Sequence, residues 1–169
     1  MAKTALLALL AVSALGVACP AAQEKNYGKR PDWSVQVGDK KVSAADFDKK
    51  VVIVDFWATW CPPCRKEIPG FIQLQKTYGE KGLAIVGFSL DRDEKTHDDW
   101  VKANGMNYLS IFASNDAGRK IMADFEALIG AIEGIPTTVV LNREGQIVYK
   151  HVGYGSPEEF EKILKPLLK

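Results

Sequence analysis

Two unbroken apolar runs organise this chain. Val51–Trp57 is apolar at every position except Asp55, and 82–88 is apolar or glycine throughout. Runs of this length without alternation predict strands buried on both faces of a sheet. At 33–37 and 40–42 the pattern alternates instead, on either side of Gly38-Asp39, which predicts a hairpin. A second hairpin is expected from 137–141 and 146–152 around 142–145, and a short strand at 108–112. Helical spacing appears over 62–78, where Ile68, Phe71, Ile72 and Leu74 share a face and Pro69 is expected to introduce a kink. Further helices are predicted at 93–103 and 116–125, with one short helical turn at 43–47. Ser156-Pro157-Glu158-Glu159 opens a last helix with a cap, a proline at its first position and acids in its first turn. The order predicts an α/β fold: a central mixed sheet flanked by helices on both faces, with an N-terminal hairpin extension.

The beginning of the chain is a separate unit. Met1-Ala2-Lys3 is a short basic start, 4–17 is almost wholly apolar, and small residues follow at Ala18, Pro20, Ala21 and Ala22. This is the build of a secretory signal, too short to span a membrane comfortably. Gly16-Val17-Ala18-Cys19 resembles the lipobox of bacterial lipoproteins, which makes Cys19 a lipidation candidate. The alternatives are removal of Cys19 with the signal or its retention in an uncleaved anchor. Residues 1–22 are therefore read as a signal peptide or lipoprotein signal, 23–32 as a linker, and 33–169 as one domain. The domain would lie outside the cytoplasm, in the periplasm or on the outer face of the cytoplasmic membrane, tethered through its N-terminus.

Composition narrows the partners. Lys plus Arg number 22 against 21 for Asp plus Glu, so no basic excess is available to track phosphates and nucleic acid is not expected. The charged cluster 91–94, like 98–99 and 158–159, is expected to solvate helix ends and faces.

The chemistry is concentrated where the first apolar run meets a helix. Trp60-Cys61-Pro62-Pro63-Cys64 places two cysteines across a helix's first turn, close enough to bond. Free amides and the macrodipole there favour thiolate, so Cys61 is the candidate nucleophile and Cys64 the resolving thiol. Pro62 and Pro63 restrict the turn and withdraw amide donors, which tunes the redox poise. Half of a zinc site is an alternative, but a structural site wants four ligands, and the only histidines are His97 and His151. Haem attachment would need His where Arg65 stands. A purely structural disulfide closes almost no loop and would constrain the unfolded chain little. No metal is expected, and the redox-active Cys61–Cys64 disulfide serves in place of a cofactor.

Two acids accompany the pair. Asp55 in a doubly buried strand is costly without a task or a partner. Glu67 follows Cys64 by three residues and so lies on the same side of the helix. Either could take the proton that leaves Cys64 during attack on a mixed disulfide. The alternatives are a satisfied structural carboxylate for Asp55 and a solvated helix residue for Glu67.

These residues match a known family. Val54-Asp55-Phe56-Trp57-Ala58, followed by Trp60-Cys61 and Pro63-Cys64, resembles the active-site segment of thioredoxin, and Gly134-Ile135-Pro136-Thr137 resembles that family's cis-proline loop. The resemblance implies a thioredoxin-like fold and a client groove lined by Ile135, Pro136 and Trp60. The exported segment and Lys66-Glu67 resemble the membrane-anchored TlpA/ResA-like branch, several members of which serve cytochrome c maturation. That branch implicates the glutamate at the Glu67 position in thiol chemistry and often lacks an acid at the Asp55 position; this chain carries both.

The expected function is that of an exported protein-disulfide reductase. Its clients would be disulfide-bearing proteins, apocytochrome c among them, and a membrane thiol electron donor would recharge it. The alternatives are an oxidase or isomerase of the same fold, or a Cu(I)-binding delivery module. For the last, Met106 and Met122 lie far from the pair in sequence and no third ligand is evident.

Overall fold

The computed structural model describes residues 26–169. The expected signal segment, and Cys19 with it, lies outside the described residues. Seven strands and four helices follow in the order β1 (Ser34–Val37), β2 (Lys40–Ser43), β3 (Val51–Trp57), α1 (Pro62–Tyr78), β4 (Leu83–Ser89), α2 (Glu94–Ala103), β5 (Leu109–Phe112), α3 (Asp116–Ile129), β6 (Thr137–Leu141), β7 (Ile147–Val152) and α4 (Pro157–Leu167). β1 and β2 form the expected N-terminal hairpin as a sheet of their own. The remaining strands build one five-stranded mixed sheet in the order β5-β4-β3-β6-β7. β4 runs parallel to β3 and to β5, whereas β6 is antiparallel to β3 and to β7.

β3 sits at the centre and divides the core by residue parity. Val52, Val54 and Phe56 point to one face, where Ile121, Phe125 and Ile129 of α3 meet them together with Trp33 of the hairpin. Val51 and Ile53 point to the other face, which Phe71 and Leu74 of α1 and Phe160 and Leu164 of α4 cover. The α1–α4 face also receives Asp55, by the same alternation.

Local sequence explains the element ends. Asp93, Asn115 and Ser156 cap α2, α3 and α4, each accepting from a backbone N–H in the first turn. α3 continues four residues beyond the predicted Phe125, because Ile129 extends the buried stripe of Ile121 and Phe125 by one more turn. α1 runs unbroken to Tyr78 through Pro69. Pro69 lies on the exposed side of the helix.

Candidate active site

β3 delivers the chain to the top of the sheet, and the segment from Ala58 to Trp60 carries it to Cys61. Asp91, just beyond β4, anchors this segment. Its carboxylate accepts from the Thr59 N–H at 3.1 Å and the Thr59 hydroxyl at 2.7 Å, and from the Ser89 hydroxyl at 2.7 Å. The reading of 91–94 as solvating charge is therefore corrected at Asp91, which is buried. Buried donors converging on it are what make a carboxyl group tolerable there.

Cys61 is the N-cap of α1, with Pro62 and Pro63 at the first two helical positions, where no intrahelical donor is lost. The Cys64 N–H donates to Cys61 Sγ at 3.2 Å, and the two sulfurs are joined in a disulfide. Both cysteines are buried, whereas Pro62 and Pro63 are exposed. On reduction, the amide that now points at Cys61 Sγ stabilises a thiolate on that atom.

The Ile135–Pro136 peptide bond is cis. The Ile135 carbonyl oxygen lies 3.6 Å from Cys61 Sγ, so this loop borders the nucleophile directly. Pro136 is buried and Ile135 half-buried. Trp60, next to Cys61 in the chain, has 61% of its surface exposed. The other exposed large apolar side chains among the described residues are Val152 and Tyr154. Val152 pairs with Thr137, next to the cis proline, and the Gly153 N–H donates to the Pro136 carbonyl at 2.8 Å. Lys66 of α1 lies over the Tyr154 ring. Apolar surface therefore rims the disulfide.

Two acids are buried on the α1–α4 side of the sheet, Asp55 in β3 and Glu67 one helical turn after Cys64. Glu67 is only 2% exposed, which removes the reading of a solvated helix residue. Its Oε1 accepts from the Gly155 N–H at 2.8 Å, and Oε2 has no partner within the protein. Asp55 is 1% exposed and neither of its oxygens makes a well-formed hydrogen bond, the Thr138 hydroxyl beside it being close enough to act on the carboxyl but not to satisfy it. Burial raises the Asp55 pKa well above the usual carboxylate range; the charge of Glu67 adds to this, and the Thr138 hydroxyl side chain opposes it. Burial likewise pushes Glu67 up to about 7, against the lowering effect of the Gly155 N–H. Two neighbouring buried acids disfavour being charged together, so near neutral pH the pair keeps one proton and leaves one carboxylate free to accept another. Among the described residues, no group of three or more His, Cys, Asp or Glu side chains is placed to hold a metal ion.

The arrangement brings Cys61, Cys64, Trp60, Pro62, Pro63, Ile135 and Pro136 to one end of the sheet, with Asp55 and Glu67 buried on its α1–α4 side. Asp91, Thr59 and Gly155 were not foreseen. An acid directly after an apolar strand was the one local hint of Asp91.

Comparison with known proteins agrees with this geometry. A family model described as the AhpC/TSA family matches residues 28–150. The thioredoxin-like protein YneN of Bacillus subtilis is 36% identical over 135 residues, covering 79% of this chain and 75% of that protein. A thiol-disulfide oxidoreductase ResA of Bacillus cereus is 30% identical over 128 residues, covering 76% and 69%. A crystal structure of a thiol:disulfide interchange protein of the thioredoxin family from Chlorobium tepidum TLS matches with a TM-score of 0.76 at 34% identity, covering 83% of this chain and 96% of that one. The chain belongs to the AhpC/TSA family, and with its Cys61–Cys64 pair at the helix start of a thioredoxin-like fold it is a thiol-disulfide oxidoreductase.

Proposed function

We propose that this protein is an exported reductant that transfers two electrons to disulfides in client proteins, apocytochrome c Cys-x-x-Cys-His sites among them. The single observation that carries the reading is the buried acid pair, Asp55 and Glu67, on the α1–α4 side of the sheet, with Glu67 one helical turn from Cys64. In the reduced enzyme the Cys61 thiolate attacks a client sulfur. A mixed disulfide forms and the other client sulfur leaves as thiolate. Cys64 then loses its proton to the carboxylate pair and attacks Cys61 Sγ, which releases the second client thiolate and leaves the Cys61–Cys64 disulfide. Trp60, Ile135 and Pro136 receive the client chain beside the sulfurs, and Pro62 and Pro63 shape the turn that presents Cys61.

Outside the cytosol a dithiol is not kept reduced by the surroundings, so the reading includes a membrane thiol donor that recharges the pair. Export rests on the signal-like segment, as does tethering through Cys19. Among the described residues no helix is long and apolar enough to cross a membrane. One relative, ResA, carries the name thiol-disulfide oxidoreductase. A structural neighbour from Chlorobium tepidum, 26% identical with a TM-score of 0.73, is described as a putative thiol:disulfide interchange protein DsbE.

Equilibration of the pair with glutathione tests the direction of transfer. A potential of about −270 mV or lower supports the reductant, and one near −120 mV makes the protein an oxidant. Cys64→Ala should trap clients as mixed disulfides on Cys61. Recovery of no apocytochrome c from cells that make it would remove that client class.

A further inference from the structure

Seven buried side-chain atoms among the described residues lack a hydrogen-bond partner within the protein, and six of them fall together: Asp55 Oδ1 and Oδ2, Glu67 Oε2, Tyr108 Oη, Thr138 Oγ1 and His151 Nε2. Strand register explains the clustering. Asp55 pairs with Thr138 and Thr138 with His151, so the three stand side by side across β3, β6 and β7 on one face of the sheet. α1 brings Glu67 over this row. A Cβ placed on Gly155 would meet both the Phe160 ring and Glu67 Oε1, and the His151 ring lies edge-on to Phe160 at 6.0 Å. Tyr108 is close enough to both carboxyls for their charges to raise its own pKa, behind the larger effect of its burial. Buried polar atoms are seldom left unpaired, and six at one place call for a physical reason.

The row also leads outward. β7 is the edge strand of the sheet, and His151 is half-buried, with Nε2 turned inward and Nδ1 3.5 Å from Tyr149 Oη. Imidazole accepts a proton at one nitrogen and releases one from the other.

We propose that His151 is a positioning residue for the proton, the outer station through which the Asp55–Glu67 pair exchanges protons with solvent. This rests on the reading of that pair as the acceptor of the Cys64 proton. When Cys64 attacks the mixed disulfide, its proton passes to a carboxylate oxygen. The Thr138 hydroxyl, the cross-strand neighbour of both Asp55 and His151, turns to accept a proton from the carboxylic acid and to donate one to His151 Nε2; neither contact is a hydrogen bond in the resting structure. The imidazolium releases the Nδ1 proton at the sheet edge, and no electrons move along the row. Tyr108, kept protonated by its burial and by the neighbouring carboxyl charges, adds no negative charge to the site. The titratable groups near His151 are Tyr149 on β7 and Glu159 on α4, whose carboxyl the Ser156 N–H draws downward first and the histidine to a lesser extent, with Asp55 on β3 and Glu67 on α1 further along the row.

The test is single-turnover oxidation of the reduced protein by a disulfide-bonded peptide, followed from pH 5 to 9. His151→Gln and His151→Gly are compared with Glu67→Gln, Asp55→Asn and the parent. The iodoacetamide reactivity of Cys61 is measured alongside. His151→Gln should slow decay of the mixed disulfide about tenfold, with Cys61 reactivity unchanged, and added imidazole should restore the rate in His151→Gly. If the Asp55 and Glu67 variants slow that step while His151→Gln does not, the His151 proposal is overturned and the acid pair stands. If none of them slows it, the acid-pair reading itself fails. A His151→Gly rate that imidazole cannot restore reduces the histidine to a packing role and overturns the proposal as well.

Discussion

The Gly155 N–H donates to Glu67 Oε1 at 2.8 Å, tying the loop after β7 to one of the two buried acids. Two residues earlier in the same loop, the Gly153 N–H holds the carbonyl of the cis proline. The loop thus joins the surface that borders Cys61 to Glu67, one helical turn from Cys64.

Glu67→Gln should change how stability depends on pH in the oxidised protein, where the cysteines do not titrate. Glu67 rises from 4.5 to about 7 on folding, so the folded state binds more protons than the unfolded state between those values. Stability therefore falls as pH rises through that window. The cost is absent below it and complete above it, at about 3 kcal/mol. Glutamine keeps the acceptor for Gly155 without the charge. Urea titrations should show the variant gaining on the parent from pH 4.5 to 8, and parallel curves would refute this.

Asp91→Ala removes the shared acceptor of Thr59 and Ser89 and leaves buried donors without a partner. The expected loss is about 2–4 kcal/mol. Because Thr59 leads into the active-site turn, hydrogen exchange should quicken at Thr59–Cys61 more than in α4.

Gly118→Ala runs against helix propensity. Alanine in a helix interior ordinarily gains about 1 kcal/mol over glycine. Here the added Cβ would lie 2.3 Å from the Ala113 Cα and 2.5 Å from its carbonyl oxygen, both backbone atoms that cannot swing away. A net destabilisation of about 2 kcal/mol is expected by chemical denaturation.

Trp60→Ala separates client binding from chemistry. The side chain is largely exposed, so stability should change by less than about 0.5 kcal/mol. KM for a protein disulfide should rise about tenfold, the weight of one aromatic anchor. The rate with a small disulfide such as oxidised dithiothreitol should hold, and equal losses with both substrates would remove Trp60 from the client surface.

Much of the site was legible in the chain itself because its signals are local. A seven-residue apolar run must be covered on both faces, which put Val51–Trp57 at the sheet's centre. Two cysteines flanking two prolines at a helix start specify a close dithiol with a stabilised thiolate, whatever surrounds them. Helical spacing alone set Glu67 on the side of Cys64.

Spacing tells which way a residue points and not what covers it. Glu67 became a buried acid only because α4 and the loop at Gly155 close over that face of α1. Asp91 read as solvating charge because its donors, Thr59 and Ser89, come from two different strand ends. The row from Asp55 through Thr138 to His151 exists only in the register of three strands, which 96 residues of chain separate from end to end. Composition and periodicity determined the fold class and the reactive sulfurs, since both follow from neighbours along the chain. The burial of the two acids was decided by tertiary contact, since burial and register belong to the sheet and its covering helices together.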